Sequence, residues 1–228
     1  MTDYLRPDET AQFNRDGLLF PKRVLSREDA AEALRQLEAA EAQGGPIVTR
    51  RAFKLQLLHP FLYKLVSHPA ILDAVESIIG PNILVYSSGL FTKEPGSTGY
   101  VAWHQDQVHY GLEPAEKVTA WLALTEVDSE NGCMRMLPGS HKQSLWKHED
   151  LYTEGNILSR GEEIRVDVAE SRAVEVVLQP GDISLHHLLM VHASPPNPSN
   201  RRRVGFAIRY IPPHVRQLGG RDGALLVR

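Results

Sequence analysis

The chain of 228 residues holds one cysteine, Cys133, and so cannot form an internal disulfide, which fits a reducing compartment. It lacks a basic excess: 25 Lys+Arg stand against 28 Asp+Glu, a formal net charge of −3. A dedicated nucleic-acid binder normally shows the opposite balance. No apolar run approaches the ~18 residues that a spanning helix needs. The opening Met1-Thr2-Asp3-Tyr4-Leu5-Arg6 has no apolar signal-peptide core. Neither a G-x-x-x-x-G-K phosphate loop nor a G-x-G-x-x-G fingerprint occurs, so nucleotide chemistry has no support. No repeat, low-complexity tract or linker divides the chain. These absences lead to the expectation of a soluble, cytoplasmic protein with no nucleic-acid or membrane partner. A chain this long buries roughly 70% or more of its extended surface, so its core needs no staples.

What is present changes texture near residue 81. The first part reads as helical. Pro7-Asp8 opens a helix that Gly17 closes. Ser26 is an N-cap for Arg27 to Gln43, where Ala30, Ala33, Leu34, Leu37 and Ala40 keep the 3.6-residue period. A third helix runs from Pro69 through Ile71, Leu72 and Val75 to Gly80. From Asn82 onward, short apolar runs alternate with Pro/Gly turns: Ile83 to Lys93, Val118 to Val127, Cys133 to Leu137, Val174 to Leu178, Ile183 to His186, Leu189 to Ala193 and Arg203 to Ile211. Strands with Pro/Gly corners, preceded by amphipathic helices, predict a mainly β fold, a double-stranded β-helix (jelly roll) with helices packed on one face. The expected organisation is a single domain over 1–228, with a helical buttress at 1–80 and a jelly-roll core at 81–212. The polar stretch Lys142 to Arg172 is expected to form a long insertion over the barrel mouth.

The chemistry is concentrated in Trp103-His104-Gln105-Asp106. On a strand, residues i and i+2 share a face, so His104 and Asp106 could tilt toward one cation while Gln105 points away. The spacing alone is weak, because His148-Glu149-Asp150 repeats it within a charged stretch that reads as exposed loop or helix. Downstream company separates the two copies. His192 ends an apolar run before a proline-rich loop, and Arg203 follows eleven residues later at the start of the last strand. Two His and one Asp make the facial triad associated with non-haem Fe(II), with three coordination positions open. A buried arginine beside such a metal implies an anionic partner, and its planar fork suits a carboxylate. On the last strand, Val204, Phe206, Ile208 and Tyr210 form a bulky face suited to packing between sheets. Arg203, Gly205, Ala207 and Arg209 form the other, where Gly205 and Ala207 leave room for a pocket. His186 and His187 are rivals to His192 as third ligand; His192 is better placed relative to Arg203.

The pattern resembles the phytanoyl-CoA dioxygenase family of Fe(II)/2-oxoglutarate oxygenases. The resemblance rests on His104-Gln105-Asp106, Thr119-Ala120-Trp121-Leu122-Ala123-Leu124, Asn131-Gly132-Cys133, Leu137-Pro138-Gly139-Ser140-His141, Pro180-Gly181-Asp182, His192-Ala193-Ser194 and Arg203. It implies that His104, Asp106 and His192 hold iron and carry catalysis, and that Arg203 clamps the distal carboxylate of 2-oxoglutarate. It also implies that Trp121 packs against that cosubstrate, with Lys54 and Ser194 as further cosubstrate contacts. Related halogenases replace the carboxylate ligand with a small residue; Asp106 fills that position here and favours hydroxylation. The ending Leu225-Leu226-Val227-Arg228 carries no Ser-Lys-Leu type address.

The expected activity is hydroxylation of an unactivated C–H bond of a small molecule, using Fe(II), 2-oxoglutarate and O2, with release of succinate and CO2. Two other classes stay open: a cupin-type metal dioxygenase that does not use 2-oxoglutarate, and a non-catalytic jelly-roll module that binds a metal or ligand.

Overall fold

A computed structural model describes residues 4–47, 54–158, 161–164, 170–220 and 223–228. The first helix, α1 (Pro7–Asp16), has proline in its first turn beside Asp8 and Glu9 and ends on Gly17 at φ 70°, the left-handed position that glycine adopts at least cost. In α2 (Arg27–Gly44) the Ser26 hydroxyl caps the Asp29 amide at 3.0 Å. Two proline-started helices follow, α3 (Pro60–Val66) and α4 (Pro69–Ile79); proline suits a first turn whose amide has no helical partner. The sequence reading had no counterpart for α3, whose seven residues are too few to show a period. A fifth helix, α5 (Gln107–Tyr110), is a single turn.

The first four strands in chain order are β1 (Leu18–Arg23), β2 (Leu84–Lys93), β3 (Val101–His104) and β4 (Leu112–Glu113). Then come β5 (Val118–Ala123), β6 (Met134–Met136), β7 (His148–Asp150), β8 (Glu162–Ile164) and β9 (Val174–Val176). The last are β10 (Asp182–His187), β11 (His192–Ser194), β12 (Arg203–Ile211), β13 (Arg216–Gln217) and β14 (Leu225–Leu226). A six-stranded sheet in the order β1-β10-β5-β12-β2-β14 faces a four-stranded sheet in the order β3-β11-β6-β9, and all their pairings are antiparallel. This is the mainly β, double-stranded β-helix architecture expected from the sequence. The segment before residue 81 is not purely helical, since β1 supplies one end of the large sheet, and β14 extends the other end from beyond residue 212.

Two apolar layers hold the halves together. One lies between the helices and the outer face of the large sheet, joining Leu37, Leu62, Ile71 and Val75 to Val204, Phe206, Ile208 and Tyr210. The bulky face of β12 therefore packs on the helical layer rather than between the sheets, as parity alone had suggested. The second layer, with Trp121, Met134, Met136, Val176 and Ala207, fills the space between the sheets. The Leu189 to Ala193 strand shrinks to β11, because Leu188, Met190 and Val191 are a buried connection rather than ladder. Within the expected insertion, β7 and β8 form an antiparallel pair; residues 159–160 and 165–169 lie outside the described part. Among the described residues, no helix is long and apolar enough to cross a membrane.

Candidate metal and cosubstrate site

The neighbouring strands β3 and β11 pair with His192 opposite His104, which sets the two imidazoles side by side with ring centroids 4.1 Å apart. Asp106 joins them by a different route from the one the strand period suggested. The ladder stops at His104, and Asp106 takes helical backbone angles (φ −55°, ψ −29°) as the N-cap of α5. The turn brings its carboxylate back beside His104. Gln105 does point away: its amide nitrogen donates to the Leu189 carbonyl and its oxygen accepts from the Trp146 amide, each at 2.8 Å. The second copy of the motif lies on β7, not on a loop or helix, and His148 Nε2 accepts from the Gln105 amide at 3.0 Å. That ring supports the triad's backbone and does not join the triad.

The ligand atoms of His104, Asp106 and His192 lie within 4.8 Å of one another, and all three residues are buried. The Nδ1 atoms of His104 and His192 contact the carbonyls of Ala102 and Met190, each at 2.9 Å. A carbonyl only accepts, so Nδ1 carries the proton and Nε2 turns a lone pair to the site. Burial, with His104 adding to it, pushes His192 down to about 3 and keeps it neutral. His104 Nε2 then faces Asp106 Oδ1 at 3.7 Å. The imidazole nitrogen and the carboxylate oxygen converge on a space that a cation could occupy.

Burial opposes ionisation of Asp106, but Lys117 above all, then His104 and Arg209, outweigh it and hold the carboxyl well below the usual range. Lys117 is fully buried and donates to Asp106 Oδ2 at 2.5 Å, with its ammonium 4.3 Å from the centre of the Tyr110 ring. Oδ2 is thereby engaged, and Oδ1 is left for the site.

The other end of the cavity is cationic. Arg203 is 1% exposed, and among the described residues no carboxylate pairs with it. Its Nη1 donates to the Gly132 carbonyl and, at 2.9 Å, to Ser194 Oγ, while Nε has no partner. Burial lowers it to about 10. Beside it Lys93, paired with Arg203 in the β2–β12 ladder, donates to Ser194 Oγ at 2.7 Å; burial and then Arg203 push this lysine down to about 6. The Ser194 hydroxyl donates to the Gly132 carbonyl at 2.9 Å and accepts from both the Lys93 and the Arg203 side chains. Its hydrogen-bonding capacity is spent on the protein, so it orients Arg203 instead of offering a proton to a ligand.

Trp121 lines the cavity with the Arg203 guanidinium 5.6 Å from its ring centre. A β-carbon on Gly205 would come within 1.8 Å of the Trp121 ring. The room expected at Gly205 is thus taken by the indole, and only Ala207 borders open space. Lys54 does not reach the cavity. Its backbone bridges to Ser88 on β2, and its ammonium donates to the Gly223 carbonyl at the outer edge of the molecule, because the segment carrying it runs along the helical side of the sheet. The cavity, about 520 Å³, lies between these two ends, with apolar walls that include Leu90, Phe91, Val108 and Ile157.

Sequence reasoning missed Lys93, Lys117 and the place of Arg209, which stands 4.0 Å from Asp106. Strand parity already put Arg209 on the face of Arg203, so that signal was available. His186 is buried in the cavity wall, 5.3 Å from the His192 ring, but is not one of the three converging ligands.

The phytanoyl-CoA dioxygenase family model matches residues 13–205. The human protein "Phytanoyl-CoA dioxygenase, peroxisomal" is 32% identical over 154 residues, covering 65% of this chain and 45% of its own length. The chain spans about half the length of the curated relatives it matches. A solved structure titled as the non-heme monooxygenase ThoJ is 42% identical, with a TM-score of 0.85 over 97% of this chain and 84% of that one. The non-heme alpha ketoglutarate dependent carbocyclase SnoK from nogalamycin biosynthesis is 25% identical, with a TM-score of 0.74 over 95% of this chain and 87% of that one.

Proposed function

The chain belongs to the phytanoyl-CoA dioxygenase family, and from that premise we propose that it is an Fe(II)- and 2-oxoglutarate-dependent dioxygenase that hydroxylates an unactivated C–H bond of a small molecule. The observation that carries the reading is the convergence of two imidazole nitrogens and one carboxylate oxygen on a common point, with a guanidinium that has no carboxylate partner among the described residues in the same cavity. Both ends fit the groups in question. Two nitrogens and one oxygen are the donor set of the facial iron triad. A buried arginine without a counter-ion is costly until an anion meets it.

His104, Asp106 and His192 would hold the iron, and Arg203 would take the distal carboxylate of 2-oxoglutarate. When bound, iron, cosubstrate and O2 supply the oxidising power, with decarboxylation to succinate and CO2 coupled to oxidation of the substrate. The protein's own residues do the positioning. The Ala102 and Met190 carbonyls fix the tautomers and orientation of the imidazoles. Lys117 ties down Oδ2 of Asp106, so the carboxylate presents one oxygen to the metal. Ser194 and Trp121 hold the Arg203 fork in place. A cavity of about 520 Å³ with largely apolar walls suits a small molecule.

Asp106 in the carboxylate position favours hydroxylation over halogenation. A metal dioxygenase without 2-oxoglutarate would leave Arg203 with no anion to meet. Anaerobic addition of Fe(II) and 2-oxoglutarate is expected to produce a visible charge-transfer band. Asp106→Ala should abolish that band together with iron binding, and Arg203→Leu should weaken it while sparing iron. Unchanged iron affinity and succinate release in Asp106→Ala would overturn the assignment.

A further inference from the structure

Three buried polar side chains stand in a row across adjacent strands of the large sheet. In the ladder, Thr119 of β5 faces His186 of β10 on one side and Arg209 of β12 on the other. They are 1%, 2% and 6% exposed, and all three line the cavity. Thr119 Oγ1, His186 Nδ1 and Arg209 Nε are enclosed without a hydrogen-bond partner. Among the described residues, the Arg209 guanidinium makes no hydrogen bond. Asp106 does not satisfy it, because Oδ2 is engaged by Lys117 at 2.5 Å while Arg209 Nε stands 4.0 Å away. The rings of Phe91 and Tyr110, each centred 5.5 Å from its Cζ, fix the plane of the fork.

Buried polar groups are nearly always paired, and a buried guanidinium above all. Lys117 and Arg209 bring two cations to the single charge of Asp106, so this end of the cavity carries a surplus positive charge. A fork, a hydroxyl and an imidazole side by side on three adjacent strands of one cavity wall match the oxygens of a carboxylate. Arg203 cannot be served by the same carboxylate group: it lies six residues away on β12, roughly 20 Å along the backbone.

We infer that Arg209, Thr119 and His186 form a second carboxylate-binding subsite on the Asp106 side of the triad. This deepens the proposed function and rests on it: the small molecule that is oxidised carries a carboxylate on an apolar body. The keto-acid end of the cosubstrate has the same chemistry, and the test separates the two sources.

Calorimetric titration of the Mn(II)-loaded protein, with and without saturating 2-oxoglutarate, compares benzoate with its neutral isostere benzamide. With 2-oxoglutarate present, benzoate should bind about thirtyfold tighter or more, the factor that a buried charge partner confers. Arg209→Gln should erase that preference and Thr119→Val should reduce it, with 2-oxoglutarate affinity held within about twofold. If the preference appears only without 2-oxoglutarate, and Arg209→Gln weakens 2-oxoglutarate itself by a similar factor, the carboxylate bound there is the cosubstrate's. The inference is overturned if benzoate shows no preference in either state, or if both variants leave benzoate and 2-oxoglutarate binding unchanged. Thr119→Val keeps the side-chain shape and decides the matter should Arg209→Gln fail to fold. Loss of 2-oxoglutarate binding in Arg203→Leu is read separately, so the proposed function can stand while the subsite falls.

Discussion

All nine residues of β12 are buried, yet its two faces keep different company. Val204, Phe206, Ile208 and Tyr210 lie in an apolar layer against the helices. The one polar atom on that face, the Tyr210 hydroxyl, donates to the Val66 carbonyl at 2.8 Å. On the opposite face Arg203 and Arg209 are as deeply enclosed, and each has a guanidinium nitrogen with no partner. Depth therefore does not distinguish the face that stabilises the fold from the face that serves a ligand. Satisfaction of polar groups does.

The largest effect that could break this comparison lies on the helical side. Phe206→Ala should lower the unfolding free energy by about 3–5 kcal/mol, the range for truncating a fully buried aromatic ring. Urea unfolding measures it, and iron affinity of the folded fraction should not change. Arg203→Leu is the counter-experiment. It should reduce 2-oxoglutarate affinity by a factor equivalent to about 2–5 kcal/mol, while unfolding free energy stays level or rises because an uncompensated buried charge is gone. If Arg203→Leu destabilised the protein as much as Phe206→Ala, the guanidinium would be part of the core and the contrast would collapse.

How far this division was legible in the sequence follows from the range of the forces involved. The span of β12 and its two-residue alternation are local, so Arg203–Ile211 was readable to the residue. The same alternation put Arg209 on the face of Arg203. His192 stood out in the sequence by its place before the proline-rich loop that leads to Arg203, although the two strands do not pair with each other: β11 and β12 lie in different sheets. What failed depended on distant partners. Lys93 is explained by Ser194, 101 residues away, and no local pattern announces that pairing. Lys117 has no local signal either: its partner is Asp106, which reaches it only by way of the turn after β3. Asp106 itself followed a turn that strand periodicity cannot foresee. Gly205 was correctly seen as small for a reason, but the occupant of the space is Trp121, which only the packing reveals.

Gly205 offers a sharper probe than either extreme because it sits on the ligand face yet is itself in packing contact. Gly205→Ala should cost about 1–3 kcal/mol by overpacking, since the new methyl would meet the indole at 1.8 Å. Moving the indole should also disturb Arg203, so a change in near-ultraviolet circular dichroism should accompany weaker 2-oxoglutarate binding. Stability loss without any effect on binding would show that Trp121 is core alone.

The contrast extends to β10, where His186 faces the cavity and the neighbouring His187 does not. Burial, with His141 and Lys117 adding to it, pushes His187 down to about 4. A histidine held neutral in the fold takes up a proton on unfolding, so stability is intact above its unfolded pKa of ~6.5 and falls as pH drops toward the folded value. In the metal-free protein this should contribute about 1.4 kcal/mol per pH unit between those limits. His187→Asn keeps an acceptor for the Leu189 amide, which His187 Nδ1 serves at 3.1 Å. It should flatten the slope by one proton, measured as unfolding free energy against pH.

The finest test uses two adjacent residues. Tyr210→Phe removes one hydroxyl from the satisfied face and should cost about 1 kcal/mol, the net worth of a buried hydrogen bond, with no change in carboxylate or 2-oxoglutarate binding. Arg209→Gln, one position earlier, removes a buried guanidinium that makes no hydrogen bond among the described residues and shares Asp106 with the closer Lys117, so it should leave stability level or raise it. The two variants share a strand, a depth and nearly the same height in the sheet, which removes position as an explanation for any difference. Measured side by side by urea unfolding, Tyr210→Phe should be the less stable of the two. Were Arg209→Gln the more damaging, the guanidinium would be holding Asp106 and the rings of Phe91 and Tyr110 in place for the sake of the fold, and the two faces of β12 would no longer divide between structure and ligand.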